Sequence, residues 1–500
     1  MSYPPQPAAP GGQSYPAQQP YGQQPYGTPP PQPYGRQAQP YAQQPQPYAP
    51  GPPSGKPPKR RGLRAFLIGL GTLGGLIAIF AGMVIYHVTT RPAQPDIGGD
   101  NSPWQKLAAG MTAALAAKDE EAFVKAFKTD ELKEKQRKVF RNLVKIPWES
   151  AHWETQFARP LNGDMMVVFV HQVKAVDSKP VAETYNWRVD DTITDPKISE
   201  VSGSKTLQGK TSDGSFYPAP WDFYEELAVE TRDNLVLVAD KSQAAEVQRD
   251  ADVLAQAAKD DLEAWRKSGP AATGGRESAR GFFITLEKRR EVYNKLYAGE
   301  GRENDGLEAG VNMPIPAHGS QASKERVSGG SRIVMDTSLS RFTGADWKNG
   351  VTDIGRHEMG HATVELLATE QVIVQGLQNT QMWVIEGFAD YLAFRGRDDR
   401  ARTVAQASLQ GYNFDGTLPE SLTFYADQAK DRSAHYALGS LGIRYMAQKY
   451  GEDKAFAFVA AHYADPKQYK QQITDATGLT VEKFQSDWAA WVRANVPGVR

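Results

Sequence analysis

The chain has 500 residues, with 57 basic and 58 acidic side chains, a formal net charge of −1 and no cysteine. That length exceeds one ordinary core, so more than one folded unit is expected, and the balanced charge excludes a general polyanion partner such as nucleic acid. Without cysteine there can be no disulfide and no thiolate metal site, so any metal must be held by histidine and carboxylate.

Residues 1–64 are a tail of Pro, Gln, Gly, Tyr and Ala, with almost no aliphatic surface to bury. Such a segment is expected to stay disordered in the cytoplasm, partly as polyproline II. Its recurring Tyr/Pro units, at Tyr21, Tyr26, Tyr34, Tyr41 and Tyr48, offer sites for weak partners. Ala65 to Tyr86 is a run of 22 uncharged residues, long enough for one transmembrane helix. Lys56, Lys59, Arg60, Arg61 and Arg64 precede it, whereas only Arg91 follows nearby. The positive-inside rule then places the N-terminus in the cytoplasm and everything after the span outside it. Residues 87–102 read as a Pro/Gly linker.

Residues 103–220 are expected to form a small membrane-proximal α+β domain. Leu107, Met111, Leu115, Phe123 and Phe127 mark a helical period from Trp104 to Phe127. Strand-like runs follow at Asp164–Val173, Val181–Val189 and Lys197–Val201. This element order resembles a cystatin-like or nuclear-transport-factor-like cone. His152 and His171 lie among Trp148, Trp153 and Val170 and read as packing or surface histidines. Residues 221–497 form the second unit, again α+β, with a short sheet and a mostly helical C-terminal part. Its elements are a strand at Leu235–Ala239, a helix at Ser242–Lys267 and an apolar run at Gly281–Leu286. A strand at Arg332–Thr337 and a helix at Trp347–Ala368 come next, with helices to Trp491.

That last strand–helix pair leads into the chemistry. His357-Glu358-Met359-Gly360-His361 is an H-E-x-x-H sequence. Residues four apart lie on one helix face, so both imidazoles can grip a single ion. Glu358 sits one position round, within reach of a metal-bound water without being a ligand. A third ligand is needed to leave one open position for that water. No histidine follows at the metzincin spacing, where Val364, Glu365 and Leu367 stand instead. The apolar segment Trp383–Leu392 carries Glu386 and Asp390, again four apart. Burying acids there is costly unless they are paired or bound to a cation. Glu386 on the metal and Asp390 on a ligand imidazole account for both.

H-E-x-x-H on one helix and E-x-x-x-D on the next resembles the gluzincin class of zinc metallopeptidases, thermolysin and the aminopeptidase-like members among them. The resemblance covers about Ile333 to Gly451, roughly a quarter of the chain. It implies His357, His361 and Glu386 as zinc ligands, Glu358 as general base and Asp390 as the partner of His357. Trp383–Tyr391 matches the W-x-x-E-G-x-A-x-Y phrase of the aminopeptidase-like branch. Tyr436-Ala437-Leu438-Gly439 matches its Y-x-x-G, which implies Tyr436 as oxyanion donor, with His435 as the alternative. The G-x-M-E-N motif that binds a substrate's free amine is absent before His357, which favours an endopeptidase or a narrow processing protease. The strand Arg332–Thr337 is expected to offer its edge to an extended substrate. The resulting expectation is a membrane-anchored, extracytoplasmic zinc peptidase acting on peptide or protein. The alternative is a catalytically silent zinc-binding scaffold or binding module at the cell surface.

Overall fold

The computed structural model describes residues 102–157, 159–190, 194–203, 219–270, 277–296, 309–319, 328–368, 380–426 and 428–499. The expected tail, membrane span and linker as far as residue 101 lie outside them. Among the described residues no helix is long and apolar enough to cross a membrane. The described residues form one compact unit of α+β class, with a four-stranded and a five-stranded sheet.

Helix α1 (Pro103–Ala117) opens with a reciprocal cap, in which Ser102 Oγ accepts from the Gln105 N–H and the Gln105 side chain accepts from the Ser102 N–H. The helical period expected to reach Phe127 breaks at Lys118, which is left-handed with φ 56°. A short α2 (Glu120–Val124) restarts under the Asp119 cap, and α3 (Asp130–Leu143) follows. These helices pack on an antiparallel meander, β1 (Trp148–Thr155), β2 (Asp164–Val173), β3 (Val181–Val189) and β4 (Ile198–Gly203). Strand β1 was not legible in advance. Of its eight residues only Trp153 is buried, so it lacks the alternation that marks a strand, and β2 imposes its conformation.

The second sheet has the order β5 (Leu227–Arg232), β6 (Leu235–Asp240), β7 (Phe282–Glu287), β9 (Ser328–Asp336), β8 (Gly310–Pro316). Strands β6, β7 and β9 are parallel, and the two edge strands run antiparallel to them. Helix α4 (Ala244–Ser268) makes the crossover from β6 to β7. Leu235, Leu237 and Ala239 face α4, whereas Val236 and Val238 join the core shared with the first sheet. Burial on both faces explains why these strands read as unbroken apolar runs.

The expected substrate edge is a correction. β9, which contains most of Arg332–Thr337, is paired on both sides, and the edge strand is β8. Two prolines, Pro314 and Pro316, disguise β8 as loop, although proline is tolerated on an edge where no ladder N–H is needed.

The two sheets are tied by a fully buried ion pair, Arg332 Nη1 to Asp177 Oδ1 at 2.7 Å. His171 Nε2 lies 3.2 Å from Arg332 Nη2, and its ring stacks on Phe169. It is a packing histidine, while His152 sits at the surface against Glu154. The C-terminal half is helical: α5 (Trp347–Glu365), α6 (Met382–Phe394), α7 (Asp398–Leu409), α8 (Ala429–Tyr450), α9 (Glu452–Ala464), α10 (Tyr469–Thr477) and α11 (Val481–Asn495). Helix α5 bridges the halves, with Met359 and Ala362 in the sheet-side core and Val364 in the helical one.

Candidate metal centre

Helix α5 presents His357 and His361 on one face, with their Nε2 atoms 3.2 Å apart. Helix α6 approaches closely because residue 360 has no side chain; a Cβ there would lie 2.9 Å from Ala389 Cα. The approach carries Glu386 Oε2 to 3.3 Å from His357 Nε2 and 3.2 Å from His361 Nε2. The three atoms form a nearly equilateral triangle. A tetrahedral ion bonded at about 2.0–2.1 Å spaces its ligand atoms about 3.3 Å apart, so the triangle already has the required size. Glu386 is buried, and among the described residues its Oε2 makes no hydrogen bond. An orphaned carboxylate oxygen facing two imidazole nitrogens is the donor set of a cation site, and this triad can hold a metal ion.

Behind the triangle, Asp390 Oδ1 lies 2.8 Å from His357 Nδ1. A neutral His357 donates its Nδ1 proton there and keeps the Nε2 lone pair toward the triangle. Burial disfavours a charged His357, yet its hydrogen bond to Asp390 and the nearby Glu386 carboxylate outweigh that and hold its pKa well above the ordinary value. His361 is raised against the same burial by the charge of Glu386. Burial works to raise the Glu386 pKa, but the two imidazoles pull it far below the ordinary carboxylate range. All three shifts express one fact: negative potential is concentrated where a cation would sit.

Glu358 points from the next position of α5 into the same cleft, against Gly310 of β8. A Cβ at residue 310 would stand 2.6 Å from Glu358 Oε1, so any side chain there would displace the end of the Glu358 side chain. The cleft, about 980 Å³, is floored by α5 and bordered by β8 and by α8. Tyr436 of α8 lines it, with its ring centroid 5.8 Å from that of His357. Burial, reinforced by the charge of Glu386, pushes the Tyr436 phenol well above its usual pKa and keeps it a proton donor.

The alternative donor, His435, does not line the cleft among the described residues. It is buried, and its Nδ1 lies 2.8 Å from the Phe424 carbonyl oxygen. Successive helix residues are turned by about 100°, so His435 and Tyr436 cannot both face the histidines.

The tertiary structure also adds residues that no motif had singled out. Tyr425 donates its hydroxyl hydrogen bond to Glu386 Oε1. Asn312 of β8 donates to Glu365, and both residues line the cleft. Glu365 carried a readable signal, since it follows His361 by four. Tyr425 and Asn312 lie in a loop and a proline-bearing strand, where spacing says nothing about direction. No protein-family model matches the chain, and no curated protein matches it either.

Proposed function

We propose that this chain is a zinc-dependent peptidase of the gluzincin type, anchored by residues 65–86 with its cleft outside the cytoplasm. The observation that carries the reading is the triangle of His357 Nε2, His361 Nε2 and an otherwise unbonded Glu386 oxygen, backed by Asp390. Two imidazoles and one carboxylate on a tetrahedral pattern suit zinc better than the harder, oxygen-preferring calcium or magnesium. Bound there, zinc would supply Lewis acidity that brings water toward ionisation near neutral pH.

The rest of the chemistry belongs to side chains. Glu358 takes the proton of the attacking water and returns it to the leaving amine nitrogen. Tyr436 donates to the carbonyl oxygen as it gains negative charge. Asp390 fixes the tautomer and orientation of His357. Strand β8 ends its sheet and its residues line the cleft, so an extended peptide lying there is expected to add to it as a further strand.

The test uses the full-length chain. One equivalent of zinc is expected, lost in His361→Ala. Glu358→Gln is expected to keep its zinc and lose peptidase activity by about 10²–10⁴-fold. A metal-free protein under non-chelating conditions, or unchanged activity in Glu358→Gln, would refute the reading.

A further inference from the structure

We infer that Tyr425 is a positioning residue of the metal centre: its hydroxyl occupies one oxygen of Glu386 and leaves the carboxylate a single oxygen for the ion. The inference rests on the zinc-peptidase reading above and gives a role to a residue outside its motifs. Tyr425 donates to Oε1 of Glu386, while Oε2 lies 3.2–3.3 Å from both histidine Nε2 atoms. The two oxygens thus have separate partners. A carboxylate with its second oxygen free can turn and hold an ion through both, taking the position that water needs. With Oε1 bonded to a phenol, that rotation would break a partly buried hydrogen bond at the wall of the cleft.

For this to work, Tyr425 must not follow the carboxylate, and the backbone leading to it is braced at two points. The Phe424 carbonyl accepts from His435 Nδ1 at 2.8 Å, and the Phe424 ring is fully buried. Four residues before Tyr425, Ser421 Oγ accepts from the Met382 N–H at 3.1 Å and donates to the Thr380 carbonyl at 2.5 Å. Met382 is the first residue of α6, the helix that bears Glu386. The segment 421–425 is therefore tied both to the start of that helix and to α8. This also accounts for His435, which supports Tyr425 from behind instead of facing the substrate.

Tyr425 and Tyr436 divide the work. Both line the cleft with their rings 6.3 Å apart, but the Tyr425 hydroxyl is bonded to Glu386, while the Tyr436 ring packs against His357. Tyr425 acts through Glu386, and its loss should alter the ion's coordination before it alters the chemistry.

Cobalt(II) reports that coordination, because four-coordinate cobalt absorbs visible light several-fold more strongly than five-coordinate cobalt. In the full-length chain loaded with cobalt(II), Tyr425→Phe is expected to weaken the visible band several-fold. Its zinc dissociation constant is expected to rise by about 10–100-fold, with thermal unfolding of the metal-free protein little changed. An unaltered band and affinity in Tyr425→Phe would overturn the role of Tyr425 and leave the peptidase reading standing. Failure of the unaltered chain to bind cobalt or zinc would overturn both. Should Tyr425→Phe not fold, X-ray absorption of the unaltered zinc protein decides: four nitrogen or oxygen neighbours support the inference, and five or more overturn it.

Discussion

Gly387 of α6 and Gly439 of α8 meet backbone to backbone, and a Cβ on Gly387 would stand 2.4 Å from the Gly439 carbonyl carbon and oxygen. Glu386 immediately precedes the first glycine and Tyr436 lies one turn before the second, so this crossing sets the distance between a candidate metal ligand and the expected oxyanion donor. Gly387→Ala is expected to destabilise the fold by about 1–3 kcal/mol through overpacking. Because the strain is released by moving α6 against α8, metal affinity should fall in the same variant. Denaturant unfolding and zinc titration would check both, and parental values in both would show that the crossing is not limiting.

Asp390 touches the donor triangle through His357 Nδ1, 2.8 Å away. Asp390→Ala removes the acceptor at Nδ1, frees the ring to turn and lowers its basicity. Zinc affinity is expected to fall by about 10–100-fold while the helices remain folded. Competition with a chelator of known affinity, alongside far-ultraviolet circular dichroism, would measure the two effects separately.

Tyr436 is expected to matter to the transition state and not to the ground state. Tyr436→Phe should lower kcat by about 10²–10³-fold, with KM and zinc content close to parental values. A large rise in KM at constant kcat would instead assign Tyr436 to substrate binding.

Away from the cleft, Glu183 of β3 is buried beside His171 and Arg332. Burial, only partly offset by the Arg332 charge, raises its carboxyl pKa to about 8. An unfolded chain releases that proton at about pH 4, so the folded state binds more protons between about pH 4 and pH 8. Stability contributed by this group is therefore present at the acidic end of the window and is lost as pH rises through it. Glu183→Gln should show a shallower loss of stability from pH 5 to pH 8 in urea unfolding. Parallel curves for the two proteins would contradict the assignment.

The sequence by itself determined which residues could do chemistry and which of them share a helix face. The absence of cysteine left only histidine and carboxylate as donors, and the four-residue spacings of His357–His361 and Glu386–Asp390 paired their side chains, because helical periodicity is a local property. The buried central strands β6 and β7 were legible for a similar reason, as short apolar runs. What the tertiary structure alone decided is how separate elements meet. Close backbone contact at Gly360 and at Gly387–Gly439 closes the donor triangle and sends Tyr436, not His435, into the cleft. Strand β8 became the edge through pairing with a β9 distant in sequence, despite prolines that read locally as loop. Tyr425 reached Glu386 because its segment is tied to α6 and α8. These arrangements are fixed by steric fit and hydrogen bonding between residues far apart in the chain, and no local period records them.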